Sequence, residues 1–239
     1  MFSPHPDDEC LVGGLALRLL REAKWNVINV AVTLGSNLER RAERLRELND
    51  ACRVLGFDLA SANRLDINPE TRRTKRKFWQ KAVRNTARNL TLARPRAVFI
   101  PHADDGHPAH VGTHLLVMDA LKTLPASFRC HVVETEFWRP LADPNLMVES
   151  SVTDVADLVA ALACHVGEVR RNPYQARLPA WLMDNVRRGA ELVGGRGGAA
   201  PDFTFATLYR VRQWSRGRLA EAAKGGQFLG AAKNPAGFF

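Results

Sequence analysis

Apolar, β-branched runs alternate with helical patterns along this chain, and that alternation limits the folds open to it more than any other feature. "CLVGGLALRLLREAKW" (10–25) reads as a helix, "NVINVAVTLGSN" (26–37) as a buried strand and turn, and "LERRAERLRELNDACRVLGF" (38–57) as a helix closed at Gly56. A helix is predicted over 74–93, a strand over 96–102 ("RAVFIPH"), a helix from about His107 to Lys122, and a strand over 129–138. Two more helices follow at 151–171 and 178–194, then a late strand at 203–214. The pattern predicts an α/β fold with a largely parallel central sheet, in a single domain over 1–216. The Gly/Ala-rich segment 217–239 is expected to be a loosely ordered tail.

A chain of 239 residues, 46% hydrophobic and 25% charged, has room for one sizeable core. No apolar run reaches the ~18–20 residues of a membrane span, and "PHPDDE" interrupts the start where a signal peptide would be apolar. The four cysteines form no Cys-x-x-Cys pair, which fits reduced, buried thiols and a cytoplasmic location. The net charge of +9 suits anionic partners. Its basic residues are spread out, with one cluster, "TRRTKRK" (71–77), so a solvated helix start is expected there and no nucleic-acid partner.

Two loops fall at the carboxyl ends of predicted strands, where open parallel sheets bind ligands. They are "SPHPDDE" (3–9) and "PHADDGHPAH" (101–110), and together they carry four imidazoles and several carboxylates. Zinc takes imidazole nitrogen and carboxylate oxygen, with three protein ligands and one open position in catalytic sites. A bound cation would also offset the repulsion within Asp7-Asp8-Glu9, and an adjacent carboxylate could take a proton from water. Spacing alone does not decide which of Asp7 and Asp8 is the ligand. Only "MFS" precedes the first loop, so a very short first strand or a truncated start is expected.

The His-Pro-Asp-Asp-Glu run, "GHPAH" about a hundred residues later, and "RLRELNDACRVLGF" (44–57) resemble the PIG-L/LmbE-like family of metal-dependent de-N-acetylases. The resemblance implies a Rossmann-like sheet flanked by helices and a hydrolase that removes an acetyl group from an N-acylated amino sugar. It implies His5, Asp8 and His110 as metal ligands, Asp7 as the general base, and His107 as oxyanion stabiliser or acid. Arg44 matches a position near the substrate, and Asn37, after a strand, is expected to touch it. The implied metal is Zn2+, although Fe2+, Co2+ or Mn2+ suits the same donors. Oligomeric state stays open.

Ala109 stands where the family carries an aspartate, and Asp104 or Asp105 is expected to compensate, with Asp105 also counted among the substrate contacts. The nearest alternatives are an amidase of a thiol- or lipid-conjugated amino sugar and a non-catalytic sugar-binding relic. Plainer readings accompany several residues. The acids could serve a helix dipole, Arg44 could pair with Glu47 or Asp50, and Glu9 could support its loop by hydrogen bonds. His114 is expected behind the site, His165 in packing or at the surface, and Trp138 in the core unless it lines a sugar pocket.

Overall fold

The β-branched runs become the parallel half of a mixed α/β sheet. The computed structural model describes residues 1–60 and 66–239. In chain order it contains β1 (Phe2–Ser3), α1 (Asp8–Leu11), α2 (Gly14–Ala23), β2 (Ile28–Ala31), α3 (Arg41–Leu55) and β3 (Asp58–Leu59). Then come α4 (Pro69–Thr74), α5 (Arg76–Ala93), β4 (Ala97–Pro101), α6 (Pro108–Lys122), β5 (Cys130–Thr135) and β6 (Leu146–Ser150). The chain closes with α7 (Val152–Ala163), α8 (Val166–Arg171), α9 (Tyr174–Gly194), β7 (Phe205–Ser215), β8 (Arg218–Glu221), β9 (Gln227–Leu229) and a 3-10 turn at Pro235–Phe238.

β1, β2 and β3 pair in parallel, as do β4 and β5. β1 lies beside β4, so the first five strands follow β3-β2-β1-β4-β5, the Rossmann-like order. Beyond β5 the sheet turns antiparallel through β7, which pairs with β5, β6 and β8, while β9 joins β6 in parallel. Alternate strand residues serve opposite faces. Phe99 and Val133 pack with Leu15, Leu48 and Leu178, whereas Val98, Ile100 and Val132 pack with Trp79, Leu116 and Leu121. The strand order reverses between β1 and β4, and the two histidine-bearing loops leave from those strands.

The two-residue β1 is anchored by more than its ladder. Val30 N donates to Met1 O at 2.8 Å, Val32 N to Ser3 O at 2.8 Å and Thr33 N to Pro4 O at 3.0 Å. The Thr33 hydroxyl also donates to Pro4 O at 2.8 Å. Backbone pairing therefore continues up to the residue before His5.

Five details differ from expectation, one being that the helix expected over 151–171 is divided at Cys164–His165 into α7 and α8. The helix expected over 10–25 breaks at Val12–Gly13, and the Tyr209 hydroxyl from β7 bridges the break, accepting from Leu15 N and donating to Val12 O. β6 lies in the segment 139–150, for which no element was predicted. α9 begins at Tyr174, one helical turn before the expected 178, with Pro179 inside it. The segment expected as a loose tail carries β8, β9 and the 3-10 turn. Small side chains gave it nothing to bury, but its carbonyls find a donor. Arg18, 1% exposed, pairs with Glu22 and donates to the carbonyls of Leu229, Gly230 and Lys233.

Gly112 on α6 lets the chain at 67–68 pass close by. A Cβ there would lie 2.6 Å from Asn68 Cα and 2.7 Å from Asn68 N. Because the obstacle is backbone, Gly112→Ala is expected to destabilise the protein by roughly 1–3 kcal/mol, measurable as a lowered midpoint in urea unfolding.

Candidate active site

The loop after β1 presents its groups in an order set by backbone. Pro6 O accepts from the Arg44 guanidinium of α3 at 2.9 Å. Asp7 follows with φ 115, and its position at the start of α1 aims Asp8 and Glu9 into the interior. A non-glycine residue held at positive φ costs on the order of 1–3 kcal/mol and persists only where surroundings enforce it. His5 N donates to Asp8 Oδ2 at 2.8 Å, closing the loop on itself.

α6 supplies the opposite wall, entered through His107, whose Nδ1 accepts from Ala109 N at 3.2 Å as an N-cap. One turn further, His110 is buried beneath it. Asp8 Oδ2 lies 3.6 Å from His5 Nδ1 and 3.5 Å from His110 Nε2. Ring nitrogens of His5, His107 and His110 all lie within 4.8 Å of one another.

A divalent ion fits this donor set. His110 Nε2 is buried with no hydrogen-bond partner among the described residues, a costly state for a ring nitrogen that a metal bond would relieve. Separations of 3.5 and 3.6 Å are close to the edge of a tetrahedron with bonds of about 2.0–2.1 Å, roughly 3.3–3.4 Å.

The two neighbouring carboxylates are driven apart electrostatically. Burial, reinforced by Asp8 and then by Glu9 and Glu168, pushes the Asp7 carboxyl well above the usual range, with Arg44 opposing. Burial also disfavours charge on Asp8, but His110 and His5 outweigh it and hold that carboxyl down at about 2. Asp8 in turn helps raise the His110 imidazole against its burial. Burial, with His5 and His110 nearby, lowers His107.

Asp7, Asp8, His5 and His107 line an open cleft of about 760 Å³, with Arg44 and Asn37 among its other walls. Arg44 pairs with neither helix neighbour considered above; it holds Pro6 O and faces Glu168 at 4.0 Å. Asn37 Oδ1 accepts from Glu39 N in a local turn at the rim.

Asp105 requires correction. It is fully buried, contributing no surface to the cleft, and it faces His110 Nδ1 at 3.1 Å while accepting from Phe137 N at 3.2 Å. It supports His110 instead of lining the cleft, and its charge also reaches His107, where it opposes the lowering by burial. His102 is structural, with Nδ1 accepting from Asp104 N and Nε2 on Arg139 O. His114 sits behind the site on Pro101 O. Trp138 is 54% exposed and stacks on His107 with centroids 5.5 Å apart, so it belongs to the cleft wall and not to the core.

Glu9 supports the loop, accepting from Asp7 N at 3.1 Å. Its partner at 2.7 Å is His165, which is interior, as one of its two expected placements had it, but is paired with a buried carboxylate. Glu168, Arg171 and Tyr174 also line the cleft without having been foreseen. The available signal was their short-range order in "HVGEVRRNPY" after a helix, which places several polar side chains at one corner.

Asp105→Ala would leave the His110 ring without its acceptor. Divalent-metal binding, measured by competition with a chelator, is expected to weaken by ~10–100-fold.

Solved structures share this fold. The conserved protein TT1542 from Thermus thermophilus is 22% identical, covering 87% of this chain and 91% of that one, with a TM-score of 0.63. The N,N'-diacetylchitobiose deacetylase from Pyrococcus horikoshii is 18% identical over 90% and 82%, TM-score 0.59. A 4-carboxy-2-hydroxymuconate hydratase from Pseudomonas putida is 17% identical over 88% and 93%, TM-score 0.62. A hydratase within this group means that the fold by itself does not fix the reaction. No curated protein matches the chain. The model of the PIG-L family, GlcNAc-PI de-N-acetylases, matches residues 1–121, just over half of the 239-residue chain, and the protein belongs to that family.

Proposed function

We propose that this protein is a metal-dependent hydrolase that removes an acetyl group from an N-acylated amino sugar or its conjugate. The observation that carries the reading is the pairing of two adjacent buried carboxylates with different surroundings. Asp8 lies between two imidazoles, and Asp7 lies beside it in the cleft.

His5, Asp8 and His110 would hold the ion, Zn2+ or a similar divalent metal. Asp8 brings the negative charge that a set of three imidazoles lacks. The chemistry such an ion supplies is polarisation of the amide carbonyl and acidification of water. Asp7 takes the proton from the attacking water as its oxygen bonds to the carbonyl carbon. His107, whose Nδ1 already accepts from Ala109 N, carries its proton on Nε2 and donates it as a hydrogen bond to the developing oxyanion. When the C–N bond breaks, Asp7 returns its proton to the leaving nitrogen, giving acetate and a free amine.

Arg44 fixes the base through Pro6 O and tempers the charge around Asp7. Arg40, Arg41 and Arg171 line the same cleft and support a substrate carrying an anionic group, and Trp138 offers a face for a sugar ring. The free cysteines support a reducing, cytoplasmic setting. No helix among the described residues is long and apolar enough to cross a membrane.

Amine release is the test, using N-acetylglucosamine, its diacetylated disaccharide, and inositol- and nucleotide-linked conjugates, with and without chelator. Asp7→Asn is expected to keep the metal and lose ~10²–10⁴-fold in kcat, whereas His110→Ala loses the metal. A chain that binds no divalent ion, or an Asp7→Asn variant at full rate, would overturn the proposal.

A further inference from the structure

Asp7 is held at φ 115, yet nothing in its own sequence forces that conformation. Its N–H is bound by Glu9 Oε2 at 3.1 Å. The other Glu9 oxygen takes His165 Nε2 at 2.7 Å and the Cys10 thiol at 3.4 Å. Glu9 is 0% and His165 1% exposed, so water does not compete for these bonds.

His165 is itself fixed by backbone at the junction of α7 and α8. Its N–H donates to Leu162 O at 3.1 Å, and its carbonyl accepts from Glu168 N and Val169 N, both at 2.9 Å. The chain at Pro6–Asp7 is thus gripped from two directions. Arg44 of α3 holds Pro6 O, and the α7–α8 junction holds Asp7 N through His165 and Glu9.

Glu9, Cys10 and His165 also form a group whose donor atoms lie within 4.8 Å of one another. A second metal does not fit it. The 2.7 Å between His165 and Glu9 is a hydrogen-bond distance, well below the roughly 3.3 Å between ligands of a tetrahedral zinc, and the thiol is engaged with the same carboxylate. We propose that His165 is a positioning residue, acting through Glu9 to hold Asp7 in the orientation from which it serves as base. This rests on the reading of Asp7 given above.

The test compares His165→Leu with His165→Gln, whose amide nitrogen can reach the place of Nε2. With the most active N-acetyl sugar of the panel above, His165→Leu is expected to lower kcat by ~10–100-fold, leaving KM and metal stoichiometry unchanged. His165→Gln should recover most of the rate. Hydrogen–deuterium exchange, which needs no substrate, should show lost protection across residues 4–11 in His165→Leu and its return in His165→Gln. Adding His165→Leu to Asp7→Asn should cost nothing further, because a base already absent cannot be misplaced.

An unchanged kcat and unchanged exchange in His165→Leu, with Asp7→Asn inactive, would overturn the positioning role and leave the base intact. An equal loss on top of Asp7→Asn would make His165 merely structural, and a second metal lost with it would make the cluster a metal site. Full activity in Asp7→Asn would instead remove the base assignment itself. Should His165→Leu fail to fold, Glu9→Gln applies the same comparison: its single side-chain oxygen cannot serve both Asp7 N and His165.

Discussion

Two neighbouring carboxylates buried at the end of a two-residue strand create an electrostatic cost, and most of the site can be understood as its compensation. Asp8 is offset by His5 and His110, whose ring nitrogens lie 3.6 and 3.5 Å from its Oδ2. Asp7 has the Arg44 guanidinium nearby and otherwise negative company. Burial amplifies both effects because charges interact more strongly away from water. One dipeptide therefore presents two acids driven in opposite directions by their surroundings.

The sheet makes that arrangement possible. Reversal of strand order between β1 and β4 opens a crevice, and the loops after those strands meet across it. α6 begins with His107 as its cap, which fixes that ring through Ala109 N and brings His110 one turn below. The backbone N–H of Ala109 occupies His107 Nδ1 and so sets the tautomer of that ring.

Much of this was legible in the chain. The strand and helix runs around 26–57 and 96–122 lie where their patterns place them, because apolar periodicity is a local property that burial rewards directly. One cap went unread: Ser151 and Asp154 form a capping box at the start of α7. β6 was less visible, since a five-residue strand next to a helix start carries little periodic signal. The order of the C-terminal segment was invisible for a different reason. It depends on carbonyls meeting Arg18, more than 200 residues earlier in the chain.

The sequence by itself determined the residue types at the site and the two loops that carry them. Their spacing, with family resemblance, pointed to His5, Asp7, Asp8, His107 and His110. Tertiary structure alone decided what stands behind them. It turned Asp105 away from the cleft to support His110, exposed Trp138 against His107, and brought His165 onto Glu9 from 156 residues away. The physical reason is that a donor set can be encoded within a loop, while the partners that orient it come from whichever elements the sheet packs alongside.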